Sequence, residues 1–193
     1  PTASEIQDIN QLVEMLKADP GSVSWAGGSA GGADHIAVGL LANAAGVDPT
    51  AINYIAYSGG GEALAAILGN QVTAGISSVG EFKPQADAGT LRILAVTSEE
   101  RIEGIDAPTL SESGLDVVLQ NWRMVAAAPG LSAEDQAAIA ADIETMAKST
   151  AWQEALASKG WSDTYLAGDE FNAQLEQDIA TTAAVLKDIG LVE

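Results

Sequence analysis

Gly27-x-Ser29-x-Gly31 has the spacing of a nucleophile elbow, where a serine stands on a sharp turn between a strand and a helix. A serine nucleophile needs a base, and His35 is the one histidine in the chain. It opens the helix that follows Ser29, whereas hydrolases of that design carry the histidine late in the chain. The same glycines have a second use. A strand that turns sharply into a helix presents unpaired N–H groups and the positive end of the helix dipole. Such a corner takes an anion without a basic side chain. The serine-hydrolase reading of Gly27-x-Ser29-x-Gly31 therefore stands as the alternative to an anion-binding corner.

The pattern recurs twice. Ser58-Gly59-Gly60-Gly61 follows INYIAY, and Ser77-Ser78-Val79-Gly80 follows VTAGI. Ser58–Gly61 lacks the Gly-Lys-Ser ending of a phosphate loop and could be a flexible turn, but its recurrence at the same place as the first corner favours anion binding. Ser77 and Ser78 offer hydroxyls to a ligand or to the local backbone alike. His35 either braces its corner or offers a donor to the ligand; alone, it forms no zinc site. Asp34 and Glu81 are acidic, but nothing in their spacing marks them as an acid–base pair. The resulting ligand-binding set is Gly28, Ser29, Ala30, Gly31, His35, Tyr57, Ser58, Gly59, Gly60, Ser77 and Ser78. No catalytic residue, metal ligand or cofactor is expected.

The elements that must position these residues alternate. Asp8 and Gln11 predict a helix start, with Ile9, Leu12, Val13 and Leu16 on one face. Strands are expected at Ser22–Ala26, Ile52–Tyr57, Val72–Ser77 and Leu91–Thr97, and helices at Asp34–Ala45, Glu62–Leu68 and Glu81–Ala88. Repeated strand–corner–helix units imply parallel strands, with ligand sites outside their carboxyl ends. Val117–Ala127 reads as a long extended run. Helices follow from Ser132 with Asp135, at Trp152–Lys159, and at 169–189, where Phe171, Leu175, Ile179, Thr182, Leu186 and Ile189 form one stripe.

Acidic residues number 27 against 8 basic ones, a formal net charge of −19. That balance argues against nucleic acid and anionic lipid as partners. With no cysteine, disulfides and thiol chemistry are excluded. No apolar run reaches the length of a membrane span.

Trp25-Ala-Gly-Gly-Ser-Ala-Gly-Gly32 with Asp34-His35, then YSGGGEALAAILGNQV, AGISSVGE, AGTLRILAVTSEER and NWRMVAAAPG, resembles the extracytoplasmic solute receptors of tripartite tricarboxylate transporters, the Bug-type binding proteins. The resemblance runs through the whole chain in uninterrupted order. It implies an α/β fold like that of type II periplasmic binding proteins: a doubly wound parallel sheet lobe plus an incomplete second lobe. Residues 1–118 would be the complete ligand-binding lobe, and 119–193 a hinge strand and C-terminal helices of the other lobe. The family's N-terminal portion has no counterpart before Pro1, so the chain reads as shortened. The resemblance further implies a periplasmic, non-enzymatic receptor for a small organic anion, a di- or tricarboxylate or related acid, serving membrane transporter subunits. A shortened chain with an uncovered stripe is expected to self-associate.

Overall fold

The computed structural model describes residues 1–192. Helix α1 (Ile9–Ala18) starts where Asp8 takes the Gln11 N–H at 2.8 Å, while Gln11 Oε1 takes the Gln7 N–H at 2.8 Å. These reciprocal bonds tie off the helix entry, as in a capping box. Ile9, Leu12, Val13 and Leu16 then bury one face.

Strand β1 (Ser24–Gly27) is central, with β2 (Asn53–Ala56) on one side and β3 (Ala74–Gly75) on the other, all parallel. Gly27 lies opposite Ala56, and Ala26 opposite Gly75, so all three strands end on the same edge. Side chains alternate across the sheet. Trp25 and Ala74 face a core built with α1 and with α2 (Ala33–Ala44), through Val38, Leu41 and Ala42. On the opposite face Ala26 meets Ala63, Ala66 and Ile67 of α3 (Gly60–Leu68), with Val72 and Leu91. Gly75 permits that approach, because a Cβ there would collide with Ile67. Both faces are thus covered, the arrangement that parallel strands require.

Two expected strands differ. Val72–Ser77 contributes only Ala74–Gly75 as strand, although the Thr73 and Ile76 N–H groups extend the ladder to Ser24 O at 3.0 Å and Ala26 O at 2.9 Å. Leu91–Thr97 does not join the sheet. Val96 instead bridges Thr109, and Thr97 exchanges bonds with Leu119, the Leu119 N–H donating at 2.9 Å and the Thr97 hydroxyl at 2.8 Å. An apolar β-branched run reads as a strand whatever its partner, and here the partner is a local loop. Val117–Ala127 likewise forms no assigned strand. Helix α4 (Val79–Asp87) begins two residues before its expected start, on Ser78.

The chain divides into two compact units: Pro1–Asn121 together with the residues from Ala180 on, and Trp122–Ile179. The second unit holds α5 (Ala133–Ala147), α6 (Thr150–Lys159) and most of α7 (Gly168–Asp188). Ser132 and Ser149 cap α5 and α6 by accepting the Asp135 and Trp152 N–H groups at 3.1 and 3.2 Å. Gly160 ends α6 in the left-handed region at φ 62°. The Trp122 indole N–H donates to Asp178 at 2.6 Å, and its ring meets Phe171 edge-on.

Within the first unit, Val185 of α7 and Ile189 just after it are buried against Ile36 of α2. Gly39 makes the approach possible: a Cβ there would stand 2.7 Å from Ile189 Cγ2. The end of the α7 stripe therefore has its cover within this chain. Ile179, earlier in the stripe, is 59% exposed.

Candidate functional site

The first corner joins β1 to α2 through Gly28–Gly32. It is tied down from inside. Asp34 takes the Gly28 N–H at 2.8 Å, His35 Nδ1 takes the Gly31 N–H at 3.2 Å, and Ser29 O takes the Gly32 N–H at 2.9 Å. Tyr54 reaches across from β2, its hydroxyl donating to Gly28 O at 2.8 Å. The Tyr54 and His35 rings stack, with centroids 4.1 Å apart and planes 2° from parallel. Gly27 is required beneath them, since a Cβ would run into the Tyr54 hydroxyl and into Asp34 Cβ at 2.9 Å. Gly31 sits at φ 75°, a conformation that favours glycine.

The second corner is shorter than expected, because Gly60 and Gly61 belong to the first turn of α3. Tyr57 donates its N–H to Gly27 O at 2.9 Å, which joins the second corner to the first. Glu62 takes the Ser58 N–H at 3.1 Å. In the third corner Glu81 accepts both the Ser77 hydroxyl and the Ser78 hydroxyl, the latter at 3.0 Å. Its carboxylate also lies against Gly60, where a Cβ would meet Glu81 Cδ at 2.5 Å. Glu81 thereby links the third corner to the second.

One device repeats. Asp34, Glu62 and Glu81 each stand in the first turn of their own helix and each tie back the loop before it. Carboxylates are favoured there by the helix dipole. Hydrogen bonds from Ser77, chiefly, hold the Glu81 carboxyl below its ordinary value, and bonds from Ser58 do the same for Glu62. Asp34 goes the other way: burial raises it, against the Gly28 N–H, with the Glu81 charge adding to the rise. Burial, and the charge of Asp34, likewise raise the Tyr54 phenol.

Open donors are left over. The N-cap residues of α2 and α3 are Gly32 and Gly59, and neither brings a side chain to the first-turn N–H groups. Those groups lack intrahelical partners by construction. The sequence therefore located the loops, and the structure gathers Gly28–Gly31, His35, Tyr57–Gly60 and Ser77–Ser78 at the carboxyl edge of one sheet. Tyr54 and Glu81, outside the expected ligand-binding set, are bonded into the same corners. Tyr54 lies inside a strand, and Glu81 meets Gly60 across a sequence separation that no spacing rule reads. Among the described residues, no bond joins the Ser29 hydroxyl to His35, whose Nδ1 is committed to Gly31. Nor does any group of three or more His, Cys, Asp or Glu residues gather to hold a metal ion.

Parallel strands covered on both faces, with their corners on one edge, make an open α/β fold. The family model described as the tripartite tricarboxylate transporter family receptor matches residues 1–191, and the chain belongs to that family. Protein BugT of Bordetella pertussis is 28% identical over 188 residues, covering 96% of this chain and 57% of BugT. The chain thus spans little more than half of that relative. An R. palustris protein solved with adipate superposes with a TM-score of 0.81 at 22% identity, over 97% of this chain and 62% of that one. MatC from Rhodopseudomonas palustris, with bound malate, gives a TM-score of 0.64 at 17% identity, over 97% and 61%.

Proposed function

We propose that the chain is a non-enzymatic, periplasmic receptor that captures a small carboxylate-bearing molecule and hands it to the membrane subunits of a tripartite tricarboxylate-type transporter. One observation carries the reading: at a single sheet edge, α2 and α3 both begin on glycine N-caps that leave first-turn N–H groups open. Glycine there lets a carboxylate approach the backbone closely. The adipate and malate in two solved relatives support the ligand class. In this reading residues 1–118 form the ligand-binding lobe, and the run 117–127 serves as its hinge. The overall charge of −19 is no obstacle, because local dipoles outweigh distant charges screened by salt.

A thermal-shift screen of mono-, di- and tricarboxylates tests this. A binder at a hundred times its Kd stabilises the fold by about 2.7 kcal/mol, a readily measured rise in Tm. If every carboxylate leaves Tm unchanged, the reading is wrong. Self-association through the residues after Gly130 is a separate proposal, motivated by exposed Ile139, Met146, Trp161 and Ile179. Sedimentation showing monomer at every concentration would remove it.

A further inference from the structure

His35 and Tyr54 grip the first corner at both ends. The Tyr54 hydroxyl holds Gly28 O, His35 Nδ1 holds the Gly31 N–H, and the two rings stack on each other. Between the two anchored residues stand Ser29 and Ala30, the tip of the corner. Because Nδ1 accepts, the neutral ring carries its proton on Nε2. An imidazolium has a proton on both nitrogens and accepts nothing, so protonation must break the bond from Gly31.

We propose that His35 is a positioning residue whose neutral ring, seated on Tyr54, fixes the Ser29–Ala30 tip for ligand, and whose protonation releases the corner and weakens carboxylate binding. The inference rests on the receptor reading for its ligand half; the latch itself stands on the geometry. Burial, which disfavours the charged ring, holds the imidazole below its ordinary 6.5, so release comes on the acid side of neutrality.

The surroundings do not supply a competing charge to stabilise the cation. From β2 the facing group is the neutral Tyr54 phenol. On its own helix Asp34 neighbours it in sequence, but that carboxylate is committed to the Gly28 N–H. The end of α7 brings the apolar Leu186, with Leu191 beyond it, to Gly31. Asp188 of the same helix is bonded to Asn43 at 3.0 Å. Glu81, on α4, accepts the Ser77 and Ser78 hydroxyls, and its charge raises Asp34.

A chain with one histidine gives one imidazole spin system, so the test is unambiguous. In a nitrogen-15 NMR titration, the ring is expected as the Nε2–H tautomer at neutral pH, and the Gly31 amide signal should move in step with the ring's protonation. An Nδ1–H tautomer, or a Gly31 amide indifferent to it, would overturn the latch without touching the receptor reading. Calorimetry with adipate, at about pH 7.5 and about pH 5, then reads the ligand half. The wild type should weaken roughly tenfold, the scale of one lost hydrogen bond. His35→Asn, whose Oδ1 stands where Nδ1 stood and accepts the Gly31 N–H at either pH, should lose less affinity than the wild type between the two pH values, whatever its own affinity near neutrality. His35→Phe keeps an aromatic ring but no acceptor, and should bind weakly at both. An acid loss as large in His35→Asn as in the wild type would place it on adipate's own carboxyls or on Asp34, whose carboxyl is raised by burial, and overturn the proposal. Absence of adipate binding at either pH, with the NMR result intact, would overturn the ligand half and count against the receptor reading.

Discussion

Gly60 is decided by its neighbour rather than by its backbone. A Cβ there would enter the Glu81 carboxylate, so Gly60→Ala must push Glu81 off the Ser77 and Ser78 hydroxyls. We expect a loss of about 1 kcal/mol, within the range for a displaced hydrogen-bonded charge. Most of that loss should vanish when the substitution is made in a Glu81→Ala background, because residues in contact are not additive. Additive losses in denaturant unfolding would show that the contact is unimportant. Glu81 also sets a pH dependence. Its folded carboxyl is held below the ordinary 4.5, so its contribution to stability is full above that value and is lost as pH falls through the folded value. Asp34 has the opposite sign, since its folded value is raised. Glu81→Gln should therefore make the acid limb of the stability profile shallower, whereas Asp34→Asn should not. Equal acid limbs in the wild type and Glu81→Gln would contradict this. None of this was legible in the sequence. Glycines at a strand end announce a corner, but which carboxylate leans on which glycine depends on how α4 packs beside α3.

At the scale of elements, the sequence is more readable where the signal is local. Asp8 with Gln11 and Ser132 with Asp135 marked helix starts, and both caps form. Asp8→Ala should cost about 1 kcal/mol in a thermal melt, and an unchanged Tm would argue that α1 is held by its buried face alone. Legibility fails where the partner is distant. Leu91–Thr97 has strand composition, but Val96 bonds Pro108 and Leu110, and Thr97 bonds Leu119, instead of the sheet. The α7 stripe looked uncovered, yet its end lies on α2, because Gly39 lets Ile189 and Val185 come close. Ile189 is 9% exposed, and Ile189→Ala should cost about 2–4 kcal/mol. A change below the error of chemical denaturation would mean that the last turn of α7 is not docked.

For the molecule as a whole, 27 acidic and 8 basic residues make self-repulsion a global destabilising force. Tm should rise as salt increases from near zero to about 0.15 M, where the screening length falls to about 8 Å. A flat or falling trend would show that the acidic groups are already neutralised locally. Among the described residues, the ion pairs Lys17–Glu14, Lys83–Asp87, Arg101–Glu112 and Lys148–Glu144 all join partly exposed side chains, so their loss in salt offsets little of this gain. The central claim is that the two glycine-capped corners before α2 and α3, at one sheet edge, hold a carboxylate by backbone N–H groups. The most direct measurement is an amide-resolved NMR titration with adipate. The account predicts the largest shifts at Ser29–Ala30, at Gly59–Glu62 and in the first turn of α2. Shifts concentrated at the opposite edge, around Asn70–Thr73, or no shifts at saturating adipate, would contradict it.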